Sequence, residues 1–395
     1  MRRLVLLRRS VLWIAMFAMI ISFVIWSMIS PIAPQLTKLY GLSIFDKSIL
    51  VATPVLLGSI LRIPLGILTD RFGGRKIYTL LMLYLVVPLI GISYAHSFLS
   101  LVVWEVLLGV AGTSFAVGIG YVSSWYPVEQ QGFVLGITAL GNIGTAVAGF
   151  TIPSLFLHMG FASMSRMLVI PVLIMAALLW FLTRDPNHEE RVTKPIPKNR
   201  SIALPNVWMS SKLWILSVFY FITFGGFVAF GNYLPTLLQG QFSFSPVDAG
   251  LRASAFVVLA TALRPVGGYL ADRIAPQRLL IISFAVIMTA AVLFSLGIGS
   301  ILWTTVAALL ISTMLGIGNG AVFKLVPLYF PHNTGKATGI IGAFGGIGGF
   351  FPPLVLGAIK QSTGSYSMGL LFLAVACAIA LMFAIRSNRW QMELN

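Results

Sequence analysis

Twelve stretches of this chain stay apolar over the roughly 20 residues that a helix needs to cross a bilayer. Six fall near residues 11–33, 48–69, 77–95, 98–125, 132–156 and 166–183. Six more fall near 213–238, 248–271, 279–298, 300–330, 336–359 and 367–386. Hydrophobic residues make up 58% of the chain and charged residues 9%, where a soluble domain carries roughly 25% charged residues. The expected fold class is therefore an all-α polytopic membrane protein with 12 transmembrane helices. The polar, proline-containing stretch 184–212 separates the two sets, which predicts an N-terminal bundle at 1–183, a linker at 184–212 and a C-terminal bundle at 213–395. The opening MRRLVLLRRS has the basic start of a signal peptide, but the apolar run from Val11 to Ile29 is too long for one and reads as the first span.

The formal net charge is +16. Eighteen of the Lys and Arg residues fall on the side of the N-terminus and linker, against five (Lys38, Lys47, Arg166, Arg252 and Lys360) on the other. That asymmetry predicts that both termini and the linker face the cytoplasm. The basic excess thus reports topology, and no nucleic-acid partner is expected. Cys377 is the single cysteine, so an intrachain disulfide and a multi-cysteine metal site are excluded. No nucleophile–base or metal-ligand set is visible, so no catalytic site, metal or cofactor is expected.

The spans are copies of one unit. LRIPLGILTDRFGGRK, Leu61 to Lys76, returns as LRPVGGYLADRIAPQR, Leu263 to Arg278. Arg62, Gly66, Asp70 and Arg71 recur as Arg264, Gly268, Asp272 and Arg273, at a constant offset of 202 residues. Each arginine lies eight residues before its aspartate, which at 1.5 Å per residue is roughly 12 Å of depth. Half of a ~30 Å hydrocarbon core is ~15 Å, so both arginines are expected near the midplane. Snorkelling to the surface is the competing role, but side chains tilt toward the helix N-terminus, here away from the cytosol. Two symmetry-related cations at that depth point to one shared anion. A guanidinium offers a rigid fork of donors to a planar oxyanion, which fits nitrate, nitrite, phosphate or a carboxylate.

Two glycine-rich stretches fall on the fifth and eleventh spans. GITALGNIGTAVAG holds Gly136, Gly141, Gly144 and Gly149; GKATGIIGAFGGIGG holds Gly339, Gly342, Gly345, Gly346, Gly348 and Gly349. Small residues let helices approach closely, so packing explains much of this pattern. Glycine at this density also permits sliding contacts and a ligand against bare backbone.

Twelve spans in two halves with a repeated G-x-x-x-D-R loop resemble the major facilitator superfamily. GILTDRFGGRK matches that superfamily's loop at Gly66, Asp70, Arg71, Gly73, Arg75 and Lys76. The resemblance implies two six-helix bundles that rock about a central site, with Gly66, Asp70, Arg71, Gly268, Asp272 and Arg273 as a conformational gate. The paired glycine signatures, with GIGNGAVFKLVP at Gly316 to Pro327, resemble the nitrate/nitrite porter family. That resemblance implies substrate-binding roles for Arg62, Arg264, Asn142, Tyr220, Phe224, Phe115 and Phe323. Taken singly, each aromatic is better explained as core than as pocket, because the chain has 28 Phe. An aromatic wall would exclude water and strengthen the arginine clamp.

Lys324, beside Phe323, is a candidate coupling residue or a snorkelling lysine. Glu105, in the fourth span, is expected to pair with a cation of its own bundle. The resemblance implies a monomeric, multi-pass carrier in the inner membrane of a prokaryote, with a small inorganic anion and the lipid bilayer as partners. Nitrate/nitrite exchange is the leading expectation. Nitrate/proton symport is the alternative, and a phosphate or organic-anion exchanger is a further one. A membrane receptor would need a sizeable output domain, and only nine residues follow Arg386.

Overall fold

The computed structural model describes residues 2–126, 128–186, 207–330 and 334–392, with no strand among them. The helices are Leu6–Tyr40 (α1), Ile44–Thr69 (α2), Gly74–Ile92 (α3) and Phe98–Ser123 (α4). Val134–Leu182 follows as one apolar stretch. It is parted at Gly160, whose φ of 75° and ψ of 170° leave helical space, into α5 (134–159) and α6 (161–182). Ser211–Phe242 (α7), Pro246–Arg273 (α8), Pro276–Leu296 (α9), Ile301–Val326 (α10), Gly339–Thr363 (α11) and Ser367–Arg386 (α12) complete the fold. The twelve expected spans are thus present, with one difference at 156–166. That segment is a single-residue turn, since only glycine adopts this backbone without strain. Most of the expected linker, 187–206, lies outside the described residues.

The internal repeat extends to helix capping. Ser43 accepts from the Asp46 backbone N–H at 3.0 Å where α2 begins, and Ser245 accepts from Asp248 N–H at 3.1 Å where α8 begins. The halves meet through α2 against α11 and α5 against α8, two pairs related by the repeat. At the end of the molecule away from the Asp-Arg turns, this seam is closed by polar contacts. Ser30 donates to the Asn232 carbonyl, Gln35 donates to Gln239 at 2.8 Å, and Ser254 donates to the Ala146 carbonyl at 2.8 Å. Gly149 and Gly250 bring the α5 and α8 backbones so close that a Cβ on either would meet the other chain. Large apolar side chains such as Phe181 and Leu296 lie on the outside, each 79% exposed, as a lipid-facing surface requires.

Three spans of the first half lose regular α geometry in their middles. α2 breaks at Leu61, ψ −6°; Pro64, three residues on, lacks the N–H that would bond the Ile60 carbonyl. α4 carries a 3-10 turn at Gly109–Thr113, and α5 one at Leu140–Ile143. Such turns commonly mark functional hinges. Here the α2 break and the α4 turn bring the Arg62 side chain and the Gly112 carbonyl together.

Candidate functional site

Arg62 emerges at the α2 break and is 2% exposed. Its Nε donates to the Gly112 carbonyl at 3.2 Å, an acceptor offered by the 3-10 turn of α4. Its Nη1 donates across the seam to the Gly342 carbonyl of α11, also at 3.2 Å. Its Nη2 is buried with no partner among the described residues. Arg264, on α8, leaves both Nε and Nη2 buried and without a partner among the described residues.

Phe224 of α7 lies within reach of both cations. Its ring centroid is 5.2 Å from the Arg62 guanidinium carbon and 5.3 Å from that of Arg264. The separation of the two arginines therefore cannot exceed the sum of those distances. Phe115 lies 5.4 Å from Arg62, and Phe227 lies 4.4 Å from Arg264. Tyr220, one helical turn before Phe224, stacks on it at 5.0 Å and 7°. Phe323 of α10 meets Tyr220 edge-on at 5.0 Å. The ring faces attract the guanidinium charge but offer no acceptor in the plane of its N–H groups. Three buried cationic nitrogens thus remain without an acceptor, at a cost that a bound oxyanion would remove.

Six of the seven residues nominated by resemblance are gathered here: Arg62, Arg264, Phe115, Tyr220, Phe224 and Phe323. Asn142 is fully buried in the α5 3-10 turn, but its Nδ2 donates to the Ala139 carbonyl at 2.7 Å. Its remaining atom, Oδ1, is an acceptor with no partner among the described residues. One Nδ2 hydrogen is thus used on the Ala139 carbonyl, and the second is left over.

The two glycine signatures divide the work. On α11, Gly342 supplies the carbonyl for Arg62, Gly345 lies under the Tyr220 ring, and Gly346 lies against Ser59 and Arg62. On α5, Gly141 makes room for Met19 and Gly144 for the α1 backbone at Ile20. Gly136, Gly339, Gly66 and Gly268 face open space, so no close approach requires glycine there.

Lys324 does not join the arginines. It forms an ion pair with Asp272 of the second Asp-Arg turn, and their side chains are 40% and 55% exposed. Glu105 differs from expectation as well. It is fully buried in α4, and neither carboxyl oxygen has a partner among the described residues. Its neighbours on α4 are apolar and its depth separates it from the arginines by two helical turns beyond Gly112. At the first Asp-Arg turn, Gly73 adopts φ 95° and Asp185 accepts from the Arg75 N–H at 2.9 Å. Arg71 lies over Phe72 at 5.2 Å and Arg273 over Tyr269 at 4.4 Å. The Asp70 side chain lies outside the described residues.

Asp185, Phe227 and Asn319 escaped the sequence reading. Asn319 had a signal: an amide inside an apolar helix demands a partner. Asp185 had none, because nothing local ties it to a turn over a hundred residues earlier.

Twelve helices in two related halves around a buried pair of cations define a membrane carrier. The Major Facilitator Superfamily model matches residues 15–353. The chain is 40% identical over 378 residues to the nitrite extrusion protein of Bacillus subtilis, covering 96% of this chain and 94% of that one. It is 35% identical over 378 residues to a Mycobacterium tuberculosis protein named a probable nitrate/nitrite transporter, NarK2, covering 94% of each. A solved bacterial homologue of the human lysosomal transporter Spinster shares the fold, with a TM-score of 0.75 at 17% identity over 97% of each chain. The chain belongs to the major facilitator superfamily and, within it, to the nitrate/nitrite porter family. It is a transporter rather than an enzyme.

Proposed function

We propose that this protein carries nitrate and nitrite across the cell membrane by alternating access, with the anion clamped between Arg62 and Arg264. The observation that carries the reading is the set of unpartnered nitrogens, Arg62 Nη2 and Arg264 Nε and Nη2, on cations that share Phe224. One unpartnered nitrogen on Arg62 and two on Arg264 form a donor set that suits a small planar oxyanion. Relatives named for nitrate and nitrite narrow the class further.

The cycle is exchange. An empty site holds two cations in a low dielectric, and closing over them costs more than closing over a neutralising anion. The carrier therefore returns loaded. Lys324, the lysine nearest this region in sequence, is engaged with Asp272 near the helix end, which speaks against a proton relay beside the anion. The protein works as a monomer, with bundles at 1–183 and 213–395 and both termini cytoplasmic.

Anion flux into proteoliposomes tests the reading, with nitrate, nitrite, chlorate, chloride and phosphate compared. Nitrate and nitrite transport with little phosphate flux is the expected result. Preferred transport of phosphate or an organic anion would overturn it.

A further inference from the structure

Among the described uncharged side chains of the second half, Asn319 alone leaves two buried polar atoms without a partner. It is 1% exposed, and both its Oδ1 and its Nδ2 are buried without a partner among the described residues. An amide side chain has two donors and two acceptor sites, and buried amides are nearly always satisfied.

Its position follows from its neighbours on α10. Leu315 and Phe323 lie one turn to either side, so all three share a face. Leu315 packs into the space left by Gly226, and Phe323 meets the Tyr220 edge. Asn319 therefore faces α7 between Tyr220 and Gly226, the turn that carries Phe224. Gly318 packs on Thr223 and Gly320 on the backbone of Arg264, which fixes the same level from both sides. Asn142 uses one Nδ2 hydrogen on the Ala139 carbonyl, whereas Asn319 Nδ2 has no partner among the described residues.

We propose that Asn319 is a further anion-binding residue: its Nδ2 donates to an oxygen of the anion held by Arg62 and Arg264. The proposal rests on the anion reading above. It assigns the second half of the carrier a neutral donor beside Arg264, so that the anion meets both a charge and an amide from that half. A neutral donor adds affinity and orientation without adding a third positive charge to the unloaded site.

The test uses detergent-solubilised full-length protein, with nitrate affinity and thermal unfolding measured for wild type, Asn319→Leu and Asn319→Ala. Leucine matches the volume and removes both unmet polar atoms, so the nitrate-free variant is expected to unfold at the same temperature as wild type or higher. Its nitrate affinity is expected to fall tenfold or more, the usual loss for a hydrogen bond to a charged group (~1.4 kcal/mol per tenfold). Asn319→Ala is expected to lose affinity to the same extent, at lower stability. A purely structural amide gives the reverse pattern: a destabilised nitrate-free protein whose affinity stays within twofold of wild type. That outcome overturns the proposal and leaves the arginine clamp standing. If wild type itself neither binds nor is stabilised by nitrate, the anion reading falls and this inference with it.

Discussion

Arg62, on the second helix, donates from Nη1 to the Gly342 carbonyl on the eleventh, at 3.2 Å. One residue of the first half thus reads the backbone of the second at the level of the site. Any rocking of the halves has to break or shift this bond, so the group proposed to meet the anion also senses the seam.

Replacing either arginine by lysine should abolish exchange without preventing insertion. The charge survives, but Arg62 would lose the fork that reaches Gly112 and Gly342 at once. The expected loss in nitrate affinity is about 2–3 kcal/mol, roughly 30- to 150-fold. Equilibrium binding to purified Arg62→Lys and Arg264→Lys checks this. Wild-type affinity in both would remove the clamp.

The α11 glycines should differ sharply from one another. A Cβ at Gly345 would run into the Tyr220 ring, which is stacked on Phe224, while Gly339 faces open space. Gly345→Ala should displace Tyr220 at a cost of about 1–3 kcal/mol and slow transport, and Gly339→Ala should leave flux near wild type. Side-by-side flux assays at matched expression decide it.

The sequence exposed the fold almost completely, because lipid imposes a long apolar run on every span and a 202-residue repeat survives in plain letters. It exposed the arginines for the same reason: a cation in such a run stands out. It could not show that Asn142 turns an Nδ2 hydrogen onto the Ala139 carbonyl, since that depends on the 3-10 turn at Leu140–Ile143. Lys324 shows the limit of adjacency. It neighbours Phe323 in sequence, yet one residue along a helix turns a side chain by about 100°, and it pairs with Asp272 instead.

Asp185 braces the first Asp-Arg turn by accepting from Arg75 N–H at 2.9 Å, where a carboxylate also meets the positive end of α3. Asp185→Ala should cost about 1 kcal/mol of stability. It should change turnover more than nitrate affinity, as should Asp70→Asn and Arg71→Ala, because these turns lie at the helix ends. A paired measurement of binding and flux separates the two effects; a tenfold affinity loss with normal turnover would contradict this assignment.

Glu105 should tolerate glutamine. An ionised carboxylate buried without a partner is far costlier than an uncharged amide of the same shape, and both Glu105 oxygens lack partners among the described residues. Glu105→Gln is expected to fold and to exchange nitrate for nitrite within about twofold of wild type. Loss of exchange in this variant, with normal expression, would show that the carboxyl takes part in the cycle.

The coupling mode gives the last prediction. If exchange is the cycle, nitrate uptake should be fast into nitrite-loaded vesicles, slow into empty ones, and indifferent to an imposed pH gradient. Lys324→Gln should preserve that behaviour. The lysine's pairing with Asp272 is solvent-accessible, with side chains 40% and 55% exposed, and an ion pair of that kind contributes only about 0–1 kcal/mol. Deleting it should therefore cost little stability and leave the anion site as it was. Symport makes the opposite demand: some group must gain and lose a proton in step with the anion. Arginine cannot serve, because a guanidinium keeps its proton throughout the physiological pH range. Strong pH-driven uptake into empty vesicles, lost in Lys324→Gln, would make the Lys324–Asp272 pair the proton site and replace exchange by symport.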